Sequence, residues 1–169
     1  MLFSILFFLA LFCPGCGSPP PGRGEGEIGA ARVENGQTVQ FRVETVAANL
    51  EVPWAIAFAP DGRVFVTERP GRVRVIEQGR LRPEPVATIR EVESVEESGL
   101  MDLTLHPQFA SNHFLYLAYA YRDDGQRVRV VRFRETADAL AEPQVIIENI
   151  PAAPNHAGTR ARFGPDGKL

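Results

Sequence analysis

The three histidines, His106, His113 and His156, are the side chains of this chain best suited to proton transfer. An imidazole exchanges a proton near neutral pH, so each could act as a general base. Their separations do not follow the spacing of a metal site. His106 stands in a Leu-His-Pro turn and suits hydrogen bonds within that turn, whereas His113 suits a solvated position. His156 lies two residues before a glycine in the stretch 155–160, and the residues alone favour a surface position for it over catalysis.

Two groups of acidic residues could also take part in chemistry, but they are better interpreted as parts of turns. Asp61 and Asp166 each stand in a Pro-Asp-Gly turn. Aspartate at that position accepts hydrogen bonds from the local backbone, so these residues are expected to be structural. The stretch Asp-Asp-Gly at 123–125 lacks the alternating oxygen ligands of a calcium loop and predicts a hairpin turn.

The chain begins with an apolar segment, MLFSILFFLALFCPGC at residues 1–16. Its apolar run is too short to span a bilayer but suits a secretory signal. Cys16 follows Gly15 as in a bacterial lipoprotein signal, which predicts lipidation at Cys16 and a location in the periplasm or cell envelope. Residues 17–36, rich in Gly and Pro, predict a flexible tether, and the folded domain is expected at 37–169. No cysteine remains in that domain for a disulfide or a thiolate metal site.

Composition favours a globular domain and argues against a nucleic-acid partner. With 44% hydrophobic residues in 169, the chain can bury a sizeable core. Its 18 basic and 21 acidic residues give a formal charge of −3, and the basic ones are scattered rather than grouped against phosphates. Contact with a membrane is expected only through the lipid anchor predicted at Cys16.

The elements that must position any site are short β-strands separated by turns. Alternating apolar residues and turn residues predict two successive sets of four antiparallel strands. The first set covers 54–58, 63–67, 72–76 and a strand near 85–89, and the second covers 100–105, 114–121, 128–133 and 145–147. No amphipathic helix is predicted between them. The fold class is therefore all-β.

A repeated turn suggests how these sets are arranged. The matching prolines Pro60, Pro107 and Pro165 are 47 and 58 residues apart, which is typical of the blades of a β-propeller. A third start follows at 160–163. Because propellers close with about four to eight blades, two blades and the start of a third predict the amino-terminal part of a longer protein. Alone, these residues would expose a sheet edge and apolar blade faces, and we expect them to be unstable and inactive.

Three stretches in order carry a family resemblance. They are LEVPWAIAFAPDGRVFVTERPGRVR at 50–74, SGLMDLTLHPQF at 98–109, and NHAGTR at 155–160 together with FGPDGKL at 163–169. Together they resemble the glucose/sorbosone dehydrogenase family, the soluble pyrroloquinoline-quinone aldose dehydrogenases. The resemblance implies a six-bladed propeller with the quinone and a calcium ion over its central mouth.

The resemblance also implies roles for particular residues. His156 matches the family's catalytic base, and Arg160 matches an arginine that follows it, while Thr159 stands where the family has glycine. Glu97 matches a position near the quinone and substrate where relatives usually carry glutamine, and both Glu97 and Arg160 are candidate cofactor-binding residues. A carboxylate there is unfavourable beside an anionic cofactor unless a cation screens it. The calcium ligands are expected beyond residue 169.

The implied activity is the oxidation of an aldose hemiacetal to the lactone, with hydride transfer to the quinone and His156 as the base. An electron acceptor of the respiratory chain would then reoxidise the quinone. The alternative is a non-catalytic propeller that binds a carbohydrate or a protein partner at the cell envelope. Glu97 and the altered loop after His156 are the features that support this alternative.

Overall fold

A computed structural model of the chain describes residues 27–32, 38–137 and 139–169, which divide between two compact units, 1–45 and 46–169. In the first unit, β1 (Glu27–Arg32) pairs antiparallel with β2 (Thr38–Val43). Residues 27–32, assigned from composition to the tether, thus form a strand. The alternation of apolar and polar residues explains β2, whereas the stretch before it carries no comparable strand signal. The predicted signal segment and Cys16 lie outside the described residues.

The second unit begins with the first predicted blade. Its strands are β3 (Pro53–Phe58), β4 (Val64–Glu68), β5 (Arg72–Glu77), β6 (Arg80–Leu81) and β7 (Ala87–Thr88). The sheet is antiparallel, and the outer edge of β5 is shared by β6 and β7 instead of one fourth strand. Pro83 and Pro85 lie between these two short strands. Since proline has no amide hydrogen to give to a sheet ladder, they divide the outer strand.

The second blade is a four-stranded antiparallel sheet in sequence order. Its strands are β8 (Leu100–Leu105), β9 (Phe114–Arg122), β10 (Gln126–Glu135) and β11 (Leu140–Pro151). The turn predicted at 106–109 continues into one helical turn, α1 (Phe109–Asn112), which the sequence did not predict. The turn predicted at 123–125 closes the β9–β10 hairpin, where the N–H of Asp123 donates to the carbonyl of Gly125 at 2.9 Å. Among the described residues, no helix is long and apolar enough to cross a bilayer.

The two sheets pack face to face around one apolar core, with β8 against β3 and β4. Phe65 and Val75 from the first sheet meet Leu103, Leu117 and Val131 from the second, and all five are buried. Two consecutive blades of a β-propeller pack against each other in this way. The prediction of an all-β fold with two blades is therefore confirmed.

The outward face of β3 carries the residues that a neighbouring blade would cover. Trp54, Ile56 and Phe58 alternate with inward alanines and are 42%, 53% and 73% exposed. Apolar residues of β11 are also exposed, at 145–147 and 150.

The repeated turns at 59–63 and 164–168 have the same hydrogen bonds. In both, the N–H of the first residue donates to the carbonyl of the fifth at 2.8 Å, and the N–H of the fourth donates to the carbonyl of the first at 3.0 Å. The fourth residue is a glycine at positive φ, +87° at Gly62 and +76° at Gly167. A side chain would strain this conformation, which explains why glycine stands there twice.

The aspartates of these turns are structural, as predicted. Asp61 Oδ1 accepts the N–H of Arg63 at 3.0 Å, and Asp166 Oδ1 accepts the N–H of Lys168 at 3.2 Å. Each second carboxylate oxygen pairs with the cationic side chain of the same neighbour. The two turns are therefore equivalent down to the side chain.

The segment after β11 follows the outer face of the second sheet in the direction of β8. Ala157 packs into a small cluster near the start of β8, the N–H of Ala161 donates to Asp102, and Phe163 meets the ring of Tyr116 edge to face with centroids 5.3 Å apart. This is the place of the first strand of a third blade. Residues 152–169 form no sheet ladder with the described residues.

Candidate functional site

Two predicted site residues, Glu97 and His156, are 59 residues apart in the chain and meet at one end of the blades. Glu97 lies between β7 and β8, and His156 lies just after β11. The Oε2 atom of Glu97 accepts the backbone N–H of His156 at 2.7 Å. The backbone N–H of Glu97 donates to the carbonyl of Pro154 at 3.1 Å. The two loops are thus joined by two hydrogen bonds.

His156 has an unusual backbone conformation. Its φ is +56°, in the left-handed region. This region costs a residue with a side chain about 1–2 kcal/mol, so other contacts must hold it. Glu97 supplies one such contact, and the next residue, Ala157, is buried at 9% exposure and supplies another. The imidazole itself is exposed and accessible to a ligand.

An open pocket of about 500 Å³ lies beside His156. The loop forms one wall and the ends of β10 and β11 form the other. The hydroxyl of Thr159, at the position where the resemblance expects glycine, is buried and has no hydrogen-bond partner among the described residues. The full lining is Val128, residues 150–153 and residues 155–159.

Arg160, the third predicted residue, is not part of this contact. Its side chain is exposed, does not line the pocket, and makes no hydrogen bond or ion pair with any described residue. The guanidinium is therefore available to an anionic group from outside the described residues. The structure joins Glu97 to His156 and leaves Arg160 separate, four residues further along the chain.

The loop that carries Glu97 is itself held firmly. Ser98 is fully buried, and its hydroxyl donates to the carbonyl of Val95 at 2.7 Å and accepts the amide of Gln126 at 2.5 Å. Gly99 has φ +154°, and a Cβ there would lie 2.4 Å from the carbonyl oxygen of Arg69. Only glycine permits this approach, so Glu97 projects from a fixed base.

Asp102 is a residue of the site region that the sequence analysis did not single out. It is 2% exposed on β8. Its oxygens accept the N–H of Ala161 at 2.5 Å, the N–H of Leu103 at 2.9 Å, and Nη1 of Arg162 at 3.3 Å. A carboxylate within the apolar run Leu-Met-Asp-Leu requires such partners when buried, and this pattern could have revealed it. Asp102 fixes the segment that follows the His156 loop.

Glu68, at the same end of the first sheet, is buried and structural. It accepts Nε of Arg72 at 2.5 Å and the N–H of Glu51 at 2.6 Å, and it lies 3.4 Å from Nη1 of Arg74. Burial raises the pKa of Glu68, but the hydrogen bonds from Arg72 and Glu51 and the charges of Arg72 and Arg74 outweigh it and hold that pKa below its usual value. Glu68 is therefore an ionised anchor and not a proton donor.

The other two histidines lie at the opposite end of the sheets. His106 Nδ1 accepts the N–H of Gln108 at 3.0 Å, which confirms its predicted role within a turn. His113 ends α1, and its Nδ1 lies 3.5 Å from Glu135. In the part of the chain that the structure describes, no group of three or more His, Cys, Asp or Glu could hold a metal ion. Because His106 and His113 lie at the opposite end, His156 is the one histidine of the three at the end where Glu97 lies.

Comparison with protein families gives one match, described as Glucose / Sorbosone dehydrogenase, over residues 50–169. Among curated proteins, the chain is 31% identical over 134 residues to an aldose sugar dehydrogenase of Escherichia coli, covering 75% of this chain and 36% of the relative. The chain spans less than half of the length of the curated relatives that it matches.

Solved structures agree with this match. An oxidoreductase of Thermus thermophilus, described as a glucose dehydrogenase, aligns with a TM-score of 0.66 and 41% identity over 72% of this chain and 37% of that one. The PQQ-bound aldose sugar dehydrogenase of Streptomyces coelicolor aligns with a TM-score of 0.64 and 25% identity, covering 84% of this chain and 40% of that one. The fold of the described residues is therefore that of part of a β-propeller.

Proposed function

The chain belongs to the glucose/sorbosone dehydrogenase family, and we propose that it forms the amino-terminal part of a quinone-dependent aldose dehydrogenase. The observation that carries the proposal is the exposed imidazole of His156, held over an open pocket by the contact between its backbone and Glu97. The family resemblance, in which His156 matches the catalytic base, supports this assignment. The likeness to a PQQ-bound aldose sugar dehydrogenase supports the choice of cofactor.

Thr159, which lines the pocket, and Arg160, which follows it in the chain but lies outside the lining, suit an anionic quinone such as pyrroloquinoline quinone. Arg160 has an exposed guanidinium without an anionic partner among the described residues, and Thr159 has a buried hydroxyl without a hydrogen bond there. A cofactor with carboxylates would satisfy both groups. When bound, the quinone supplies a two-electron acceptor for the hydride that leaves the sugar. We expect calcium to take its ligands from residues beyond 169.

His156 would remove the proton of the anomeric hydroxyl at a ring nitrogen. As the C1–H bond breaks, the electron pair of the O–H bond becomes the second C–O bond, and the product is the lactone. Neutral imidazole suits this step because its ordinary pKa lies near neutral pH. The backbone of His156 is bound by Glu97, whereas its ring is left exposed to the substrate.

The proposed location is the cell envelope or periplasm. The apolar segment at 1–16 and Cys16 support export with a lipid anchor. In that compartment, electrons would pass from the reduced cofactor to an acceptor of the respiratory chain. The substrate class is a small aldose.

The test is dye reduction by aldoses, with the protein expressed from its complete reading frame and supplied with the quinone and Ca²⁺. We expect His156→Ala to lower kcat by about 10²-fold or more, since general base catalysis contributes about that much. His113→Ala, at the opposite end of the sheets, is the matched control and should stay within about threefold. If the loaded wild type reduces no dye with any aldose, the non-catalytic propeller becomes the better account.

A further inference from the structure

We propose that Glu97 is a positioning residue, whose carboxylate holds the His156 loop in its left-handed conformation and does not bind the cofactor. As a role in catalysis this rests on the proposed function, but the contact itself can be tested without any activity. The family resemblance makes Glu97 a candidate cofactor-binding residue, and the structure gives its carboxylate a different partner.

The first support is the geometry of the contact. Glu97 binds the loop twice, through Oε2 to the N–H of His156 at 2.7 Å and through its own N–H to the carbonyl of Pro154 at 3.1 Å. A backbone N–H bound to a carboxylate is a charge-assisted hydrogen bond, about twice as strong as a neutral one. The carboxylate thus acts on the backbone of the residue proposed as the base, and not on its ring.

The second support is that both loops are strained at the contact. His156 has φ +56°, and Glu96, directly before Glu97, has φ +50°. Residues with side chains adopt this region only when their surroundings hold them there. Without the Glu97 carboxylate, His156 would lose the one side-chain bond to its N–H, and its φ would relax toward the ordinary negative values.

The third support is the rigidity of the base from which Glu97 projects. The next two residues are fixed, Ser98 by its buried hydroxyl and Gly99 by close contact with the backbone of Arg69. A hydrogen bond from a fixed base can transmit position, whereas one from a free loop cannot. Glu97 is therefore built to place the His156 loop relative to the first strand of the second blade.

This role also explains why a carboxylate can stand near the site of an anionic cofactor. One oxygen of Glu97 already has a hydrogen-bond donor, which offsets part of its charge. Glutamine would offer the same carbonyl oxygen to the N–H of His156 without the charge. Glu97→Gln should therefore preserve the position of the loop, whereas Glu97→Ala should lose it.

The experiment compares Glu97→Ala, Glu97→Gln and the control Glu96→Ala in the protein from the complete reading frame. Glu96 is exposed, and its side chain makes no hydrogen bond with the described residues. The first readout is amide hydrogen exchange of the peptide covering 152–160. We expect Glu97→Ala to speed exchange at His156 by about tenfold or more, and the other two variants to stay within about threefold.

The second readout is a split of kinetic constants with quinone and Ca²⁺ present. Glu97→Ala should lower kcat by about tenfold or more, because a misplaced base reacts slowly. The KM for the aldose and the dissociation constant of the quinone should stay within about threefold, and Glu97→Gln should recover most of kcat. If Glu97→Ala weakens quinone binding but leaves kcat at saturating quinone unchanged, Glu97 is a cofactor ligand and the proposal is overturned.

The two proposals fail separately. Unchanged amide exchange in Glu97→Ala overturns the positioning role, whatever the activity of the wild type. Faster exchange in Glu97→Ala, together with a wild type that oxidises no aldose, supports the structural contact and overturns the proposed function.

Discussion

Arg63 and Glu135 form a bidentate ion pair that joins the two blades at the end opposite His156. Nη1 of Arg63 lies 2.6 Å from Oε1 of Glu135, and Nη2 lies 3.3 Å from Oε2. Arg63 directly precedes β4, and Glu135 ends β10, where it is only 5% exposed. The hydrogen bond to Glu135 raises the pKa of Arg63, and burial opposes it.

Removal of this pair should destabilise the packing of the two blades. Glu135→Ala leaves Arg63 with Asp61 as its remaining carboxylate, so we expect a loss of about 2 kcal/mol in the free energy of unfolding by urea. The matched control is Glu142→Ala, whose carboxylate is largely exposed in its ion pair with Arg134. An exposed pair contributes about 0–1 kcal/mol, so the control should change little. Equal losses in the two variants would contradict the assigned role of Glu135.

Gly99 should be the least replaceable glycine near the site. In Gly99→Ala, the new Cβ would lie 2.4 Å from the carbonyl oxygen of Arg69, at φ +154°. The clash involves backbone on both sides, so we expect a loss of about 2 kcal/mol or more, measured as a lowered thermal midpoint. Gly62→Ala is the control, because it has φ +87° but nothing within 4 Å of the added atom. It should cost about 1 kcal/mol, and a Gly62 variant as unstable as the Gly99 variant would remove the argument from contact.

Much of the blade pattern could be predicted from the sequence because it is set locally. The Pro-Asp-Gly turns fix their own hydrogen bonds within five residues, so Asp61 and Asp166 were correctly interpreted without knowledge of the fold. Alternation also located the strands of both sheets. The outer edge of the first sheet was less predictable, since the strand expected near 85–89 is reduced to the two residues of β7, and β6 at 80–81 was not predicted.

The contacts of the candidate site could not be predicted in the same way. Glu97 and His156 meet across 59 residues, and no local pattern encodes that hydrogen bond. The family resemblance marked both residues but gave Glu97 a cofactor role. Asp102 is different, since a lone carboxylate in an apolar strand signals a buried partner, although the sequence does not say that the partners are the N–H of Ala161 and the side chain of Arg162.

Glu68 should give the folded protein part of its sensitivity to acid. Its pKa is lowered in the folded state from an ordinary value of 4.5. A lowered pKa contributes stability that is present above the unfolded pKa and is lost as the pH falls through the folded pKa. If the urea concentration at half-unfolding is measured from pH 7 to pH 3, it should therefore decrease once the pH is below about 4.5.

Glu68→Gln is the variant that isolates this contribution. It should lower stability at pH 7 and show a weaker further loss in acid than the wild type, because the group that titrates is gone. Glu84→Gln, at an exposed position of the same sheet's outer loop, should follow the wild-type curve. If Glu68→Gln and the wild type lose stability in parallel below pH 4.5, the carboxylate of Glu68 is not the source.

Asp102 should control the attachment of the segment that follows the His156 loop. Its buried carboxylate accepts the N–H of Ala161 at 2.5 Å and contacts Arg162 at 3.3 Å. Asp102→Ala removes both contacts, and hydrogen bonds of this charged type contribute about 1.5–3 kcal/mol. Since local opening would expose the peptide bonds after Arg160 and Arg162, we expect trypsin to cut there about tenfold faster or more. Asp102→Asn keeps an oxygen that can accept the N–H of Ala161, so its rate of cleavage should lie between those of the wild type and Asp102→Ala. The reason to expect a local effect is that Arg162 is partly exposed and can be solvated when its partner is lost. If cleavage after Arg160 is no faster in Asp102→Ala, the segment is held by Ala157 and Phe163 instead.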